Sequence, residues 1–289
     1  MTLFFAFLFI FCFPLDALAW GPGVHIAIGN HVLTHVHVLG PVMAALLSAH
    51  SRRFLYGCLA ADIFIGKGSV FTPTHSHNWD TGRALLRQAD SPQMTAYAYG
   101  YLSHLAADVI AHNYLVPNML GFSAGRGKVA HTYIEMLADL RVKGARSQAS
   151  GIFQEQYVHE DCALVATMQQ KQFPFTIKKK LFYQGLRLVE KSSCQQSLRV
   201  LKKIVPRTDQ DELMDEAIGL ARELVMDFLC DPCHSPILEC DPIGSANLLQ
   251  IRHFRRSQRR YYKRHEAGII FPLDTRLEAR LCSWRRSYV

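Results

Sequence analysis

The sequence predicts an all-α protein, a multi-helix bundle, and three observations carry that expectation. Apolar residues recur at three- and four-residue steps along almost the whole chain, the period of a helix that buries one face. No stretch joins strict apolar–polar alternation to hairpin turn signals, so strands are not expected. The 289 residues are 49% hydrophobic and 19% charged, enough apolar surface for a core and too much for a disordered chain. That length suits one large domain, with or without a small appendage, and excludes a multi-module protein.

The segment Met1 to Ala19 holds an apolar run from Leu3 to Pro14 and then Ala17-Leu18-Ala19, the small-x-small pattern that signal peptidase reads. The run is short for a membrane span, which needs about 20 apolar residues. Residues 1–19 are therefore expected to be a signal peptide, with Trp20 as the mature N-terminus and a secreted or periplasmic product. Export permits disulfides, and with Cys12 removed, seven cysteines remain, an odd number.

Helices are expected near residues 26 to 49, 81 to 90, 94 to 115, 128 to 143, 153 to 169, 176 to 204, 209 to 230 and 244 to 265, with loops where Gly and Pro gather. The run from Thr95 to Val116 is apolar enough to suggest a membrane span, but it carries His104, Asp108 and His112. A buried polar stripe is the better reading. Residues 20–250 are read as one helical, metal-binding catalytic domain and residues 251–289 as a basic C-terminal tail.

The charge balance separates these parts. Residues 251 to 289 hold eleven Lys/Arg and three Asp/Glu, which is the whole of the net charge of +8. Arg252, Arg255, Arg256, Arg259, Arg260, Lys263 and Arg264, with Tyr261 and Tyr262, suit an anionic membrane surface or nucleic acid, or simply form a solvated helix face. Histidine is skewed the other way, since ten of the fourteen fall within the first 140 residues.

Residues four apart share a helix face, so His104, Asp108 and His112 form one row, and His131 and Glu135 repeat the spacing on the next helix. Imidazoles and carboxylates in such rows can converge on a divalent cation such as zinc without any cysteine. Ala106, Ala107 and Ala111 between them let helices approach closely. Each histidine alone reads more simply as a satisfied core residue, but two aligned rows change the balance, because a buried carboxylate needs a partner or a metal. Upstream stand Trp20-Gly-Pro-Gly-Val-His25, Gly57-Cys-Leu-Ala-Ala-Asp62 and Thr74-His-Ser-His77-Asn-Trp-Asp80.

Taken in order, these residues resemble the zinc-dependent phospholipase C family, whose relatives include three-zinc single-strand nucleases; the resemblance covers Trp20 to Asp139. It implies a helical bundle of that type, with a zinc held by Trp20, His25 and Asp108, a second by Asp62, His77, His104 and Asp108, and a third by His112, His131 and Glu135. In that family the free amine and carbonyl of an N-terminal tryptophan chelate zinc, which fits Trp20. The short gap from Trp20 to His25 looks like the nuclease branch, and Glu135 looks like the lipase branch. The three residues between Asp108 and His112 are fewer than in the best-known lipases. His75 is an alternative to His77.

Two or three zinc ions suit phosphodiester cleavage, because bound water ionises near neutral pH while the cations neutralise phosphoryl and leaving-group charge. Asp108 is the natural bridge between metals. Asp62 is a ligand, a general base for the attacking water, or both. The expected function is hydrolysis of phospholipid on the glycerol side of phosphate, with nucleic acid as the alternative substrate and no protein partner inferred. A non-catalytic metal- or membrane-binding protein is the rival of a different class. His31, His35 and His37 are expected on the surface or in packing. Cys230-Asp-Pro-Cys233-His234 matches the haem-attachment pattern, although Cys230, Cys233 and Cys240 read more simply as disulfide partners in a loop.

Overall fold

The computed structural model describes residues 20–64, 75–122, 127–142, 144–190, 210–257 and 269–288. The expected signal segment, the arginines and tyrosines between 258 and 268, and Cys194 lie outside the described residues. Every regular element among the described residues is helical: α1 (Pro22–Thr34), α2 (Pro41–Ala49), α3 (Ser51–Ala60), α4 (Trp79–Arg87), α5 (Pro92–Ile110), α6 (Val116–Phe122), α7 (Gly127–Asp139), α8 (Ala145–Phe153), α9 (Val158–Thr167), α10 (Gln172–Glu190), α11 (Gln210–Cys230), α12 (Ser245–Ser257) and α13 (Thr275–Tyr288). Short 3₁₀ turns at Val36–Val38, Ala61–Ile63 and Pro236–Glu239 join some of them, and a π turn at Ala111–Leu115 links α5 to α6.

Local chemistry sets several starts. Pro22, Pro41 and Pro92 occupy first turns, where the missing N–H has no helical partner anyway. The Asn78 side chain accepts from the Asp80 N–H at 2.9 Å, and the Ser91 hydroxyl accepts from the Met94 N–H at 3.3 Å, as N-caps do. The single helix expected over 26 to 49 is instead two, broken where Gly40 takes an extended conformation ahead of Pro41. α3 was not expected, because it follows α2 after one residue and no side-chain cap marks its start. α8, also unexpected, begins at Gly144 with φ +79, a left-handed residue that lets the chain reverse.

α5 is the axis of the bundle. From Ala96 to Ile110 nearly every residue is buried, including Tyr97, Tyr101, His104 and Asp108, so the helix is enclosed by α1, α3, α4 and α11. A helix buried all round with a polar row must direct that row at partners inside the protein. No helix among the described residues is long and apolar enough to cross a membrane.

The crossing of α3 over α5 is the tightest contact. A β-carbon on Gly57 would lie 2.1 Å from the Tyr97 carbonyl oxygen, and one on Gly100 would lie 2.0 Å from the Phe54 carbonyl oxygen. Only glycine at both positions lets the backbones meet. The segment expected as a basic tail is, in its described parts, joined to the body: Ile251, Phe271, Leu277 and Leu281 are buried. Asn118 accepts from the Ile270 and Phe271 N–H groups at 2.8 and 2.9 Å. Arg280 pairs with buried Asp227 at 2.7 Å and Arg285 with Glu223 at 2.6 Å, so those charges complete ion pairs with α11.

Gly100→Ala is expected to destabilise the fold by about 3 kcal/mol or more, because the clashing atom is backbone and cannot rotate away. Urea unfolding checks this, and Gly151→Ala, where nothing lies within 4 Å of the added carbon, is the control.

Candidate metal centre

The site forms where the end of α3, the start of α1 and the C-terminal turns of α5 meet. His104 donates from Nδ1 to the Cys58 carbonyl at 2.9 Å, a bond that the glycine crossing permits. A carbonyl can only accept, so the proton sits on Nδ1, and in the neutral ring Nε2 is left with a lone pair facing the interior. The Ser76 hydroxyl lies 2.9 Å from His77 Nδ1, and Tyr101 donates its hydroxyl to the Ser76 carbonyl to hold that loop. Asp62 sits in the 3₁₀ turn that ends α3.

These groups converge with buried side chains. His77 Nε2 lies 3.3 Å from Asp62 Oδ1, 3.2 Å from Asp108 Oδ2 and 2.9 Å from His104 Nε2. His104 Nε2 lies 3.3 Å from Asp108 Oδ2 and 3.8 Å from Asp62 Oδ1. On the other oxygen of Asp108, His25 Nε2 approaches Oδ1 to 3.3 Å while its ring stacks on His104 at 3.8 Å between centroids. A tetrahedral zinc with ligand bonds of about 2.0–2.1 Å separates its ligand atoms by about 3.3 Å. The observed spacings bracket that value, so the donor set fits zinc in both chemistry and spacing. His25, Asp62 and His104 form one such group of three and His77, His104 and Asp108 another.

The charges explain why a cation belongs here. Burial raises the cost of an Asp108 carboxylate, but His104, His25 and His77 outweigh it and hold the group well below the usual carboxylate range. Burial also disfavours a charged His104, yet Asp108 and Asp62 beside it raise its pKa, whereas His25 is lowered by burial and by its stacked neighbour His104. Asp108 and Asp62 thus favour the charged form of His104 against its burial.

The remaining predicted residues are partly assembled. His131 Nε2 and Glu135 Oε1 meet at 3.1 Å, and the His112 ring lies 5.3 Å from that of His131. His112 projects from the π turn, against which Gly244 presses. A β-carbon there would lie 2.4 Å from the His112 carbonyl oxygen, and φ is +56. Trp20 is buried beside the site and donates its indole N–H to the Ala107 carbonyl at 2.8 Å. His77, not His75, faces the cluster. His31, His35 and His37 lie at the far end of α1 and in the turn after it, outside the cluster, with tilted rings 4.2 and 6.0 Å apart between successive centroids. Among the described residues Cys233 and Cys240, expected as disulfide partners, are free thiols, and the Cys230 thiol lies 3.8 Å from the Val38 carbonyl.

A buried acid that supports the site escaped the sequence reading. Asp139 accepts from the Gly23 and Val24 N–H groups at 3.2 and 2.9 Å and from Arg146 Nε at 3.2 Å, so it caps α1 and fixes the backbone between Trp20 and His25. A β-carbon on Gly21 would strike its carboxylate. The signal was available: Asp139 continues the His131, Glu135 row by four residues.

An all-helical bundle with imidazoles and two carboxylates converging inside it forms a buried donor set of the kind that can hold a metal ion. The family described as zinc dependent phospholipase C matches residues 24–173, just over half of the chain, and the protein belongs to that family. Its fold is accordingly the all-α bundle of that type. No curated protein and no solved structure matches the chain.

Asp139→Ala leaves Arg146 buried without its partner and frees two helix N–H groups, so a loss of about 3–5 kcal/mol is expected in urea unfolding. Zinc content should fall in the same variant, because the segment that carries Trp20 and His25 is no longer held.

Proposed function

We propose that the protein is an exported zinc-dependent phosphodiesterase that hydrolyses phospholipid on the glycerol side of the phosphate, releasing diacylglycerol. The observation that carries this reading is Asp108, whose two oxygens face different donors, His25 on one side and His77 with His104 on the other. A carboxylate so placed suits a bridge between two ions, and membership of the phospholipase C family supplies the substrate class. Trp20, His25 and Asp108 would hold one ion, Asp62, His77, His104 and Asp108 a second, and His112, His131 and Glu135 a third. When bound, zinc supplies Lewis acidity for the phosphoryl oxygens and a water acidified to a pKa near 7.

The chain's own residues do the rest. The Cys58 carbonyl keeps the ring of His104 in the tautomer that presents Nε2, and the Ser76 hydroxyl positions the His77 ring at its Nδ1. Asp62, buried and adjacent to both rings, serves as a ligand and as the acceptor for a proton from the attacking water. The enclosing helices exclude bulk water, which strengthens every charge interaction within the site. Single-strand nucleic acid is the second reading, favoured by the short Trp20 to His25 gap.

Asp108→Asn keeps the side-chain size and removes the charge. Zinc measured by metal analysis should drop, and diacylglycerol release should fall by at least about 100-fold. Unchanged zinc and turnover would end the assignment, and release of nucleotides without diacylglycerol would favour the nuclease reading.

Export and catalysis are coupled in this proposal through Trp20. While Ala19 is attached, the Trp20 nitrogen is an amide and a poor ligand. A free α-amine, with a reference pKa of about 7.7–8.0, gives up its proton to a metal at modest cost near neutral pH. Three purified forms test this: one beginning at Trp20, one with a single alanine before it, and one beginning at Gly21. Full zinc content and activity are expected only in the first, and equal values in all three would remove the N-terminus from the site.

A further inference from the structure

α10 carries an outward apolar row that the metal centre does not explain. Phe173, Ile177 and Leu181 stand four residues apart on one face and are 76%, 45% and 40% exposed. The opposite face, with Phe175, Phe182 and Leu186, is buried. Lysines divide between the two faces. Lys179 turns inward to Asp161 at 2.6 Å and Lys178 lies over the Phe64 ring at 5.5 Å. Lys180 is exposed beside the apolar row, with Arg187 exposed two turns further on over the Tyr183 ring, and no described carboxylate pairs with either. The only acidic residue in α10 is its last, Glu190.

We propose that this face of α10 is the surface by which the protein docks on an anionic phospholipid bilayer, a proposal that rests on the reading of the chain as a lipid hydrolase. An aromatic and two aliphatic side chains in a row can enter the acyl boundary. Lysine and arginine stems beside them lie along the same boundary and leave their charges at the headgroups. An apolar protein groove would be served by the row alone, whereas unpaired cations along its flank complement a negative surface. Location supports the same occupant. α10 packs on the turn that carries Asp62, with Phe175 and Phe64 rings 5.4 Å apart, so docking here holds the metal centre about one helix diameter, roughly 10 Å, from the lipid.

The test uses the full chain and vesicles of phosphatidylcholine with and without phosphatidylglycerol, with binding read by co-sedimentation. The double variant Phe173→Asp, Ile177→Asp changes only exposed positions, so unfolding and zinc content should match the parent. Turnover of a soluble short-chain phospholipid should also be unchanged. Its binding to mixed vesicles is expected to fall roughly tenfold or more, and Lys180→Glu should weaken binding to the anionic vesicles alone, most strongly at low salt. Parent-level binding by the double variant overturns the proposal, as does loss of binding only when Arg252, Arg255 and Arg256 are replaced. Concentration-dependent self-association that the double variant abolishes, without vesicle binding by the parent, also overturns it and assigns the face to a second copy of the chain. Because binding is measured without turnover in Asp108→Asn, a bilayer surface without lipid hydrolysis and lipid hydrolysis without this surface are separate results.

Discussion

The approach of two helix backbones at Gly57 and Gly100 is the constraint on which the site depends. Neither position has room for a β-carbon, and that closeness brings the Cys58 carbonyl within 2.9 Å of His104. The same crossing delivers Asp62, at the end of one helix, toward His104 of the other, with His77 from the loop before α4 beside both. Each glycine costs about 1 kcal/mol of helix propensity, which close contact along the crossing offsets. With a wider crossing, the ring of His104 would lose the acceptor that sets its tautomer, and Asp62 would be withdrawn from the cluster.

What the crossing encloses is expensive. Two carboxylates and three imidazoles share a site from which water is excluded, and removing such groups from water costs several kcal/mol per ion unless partners compensate. Asp108 has a depressed pKa, so its contribution to stability is present above the ordinary carboxylate range and is lost as pH falls through the folded value. His104 has a raised pKa, so its contribution is present below the usual imidazole value and is lost as pH rises through the folded one. The two are opposed, and a divalent cation held there would compensate both carboxylates while leaving the imidazoles neutral.

Around this centre the other helices act as supports. Asp139 and Arg146 hold the start of α1, the Gly244 loop presses on the turn that carries His112, and the C-terminal helix closes over α11 through arginine pairs. The basic character of residues 251–289 is thus spent in part on intramolecular pairs. In α10, by contrast, Lys180 stands exposed beside the apolar row.

Periodicity was enough to read the fold class and the rows His104, Asp108, His112 and His131, Glu135, because residues four apart on a helix must share a face whatever surrounds them. The ordered set from Trp20 to Glu135 was likewise legible as a family resemblance, since ligand identity is carried by residue type. Helix α3 was not legible, since its glycine and absent cap weaken every local signal while its stability comes from packing on α5. The partners of each ring, the approach of Asp62 to His77 and the use of Asp139 as a cap were also beyond the sequence. They depend on which helices touch and at what distance, and distance between elements is set by tertiary packing of small against large side chains, which no local pattern encodes.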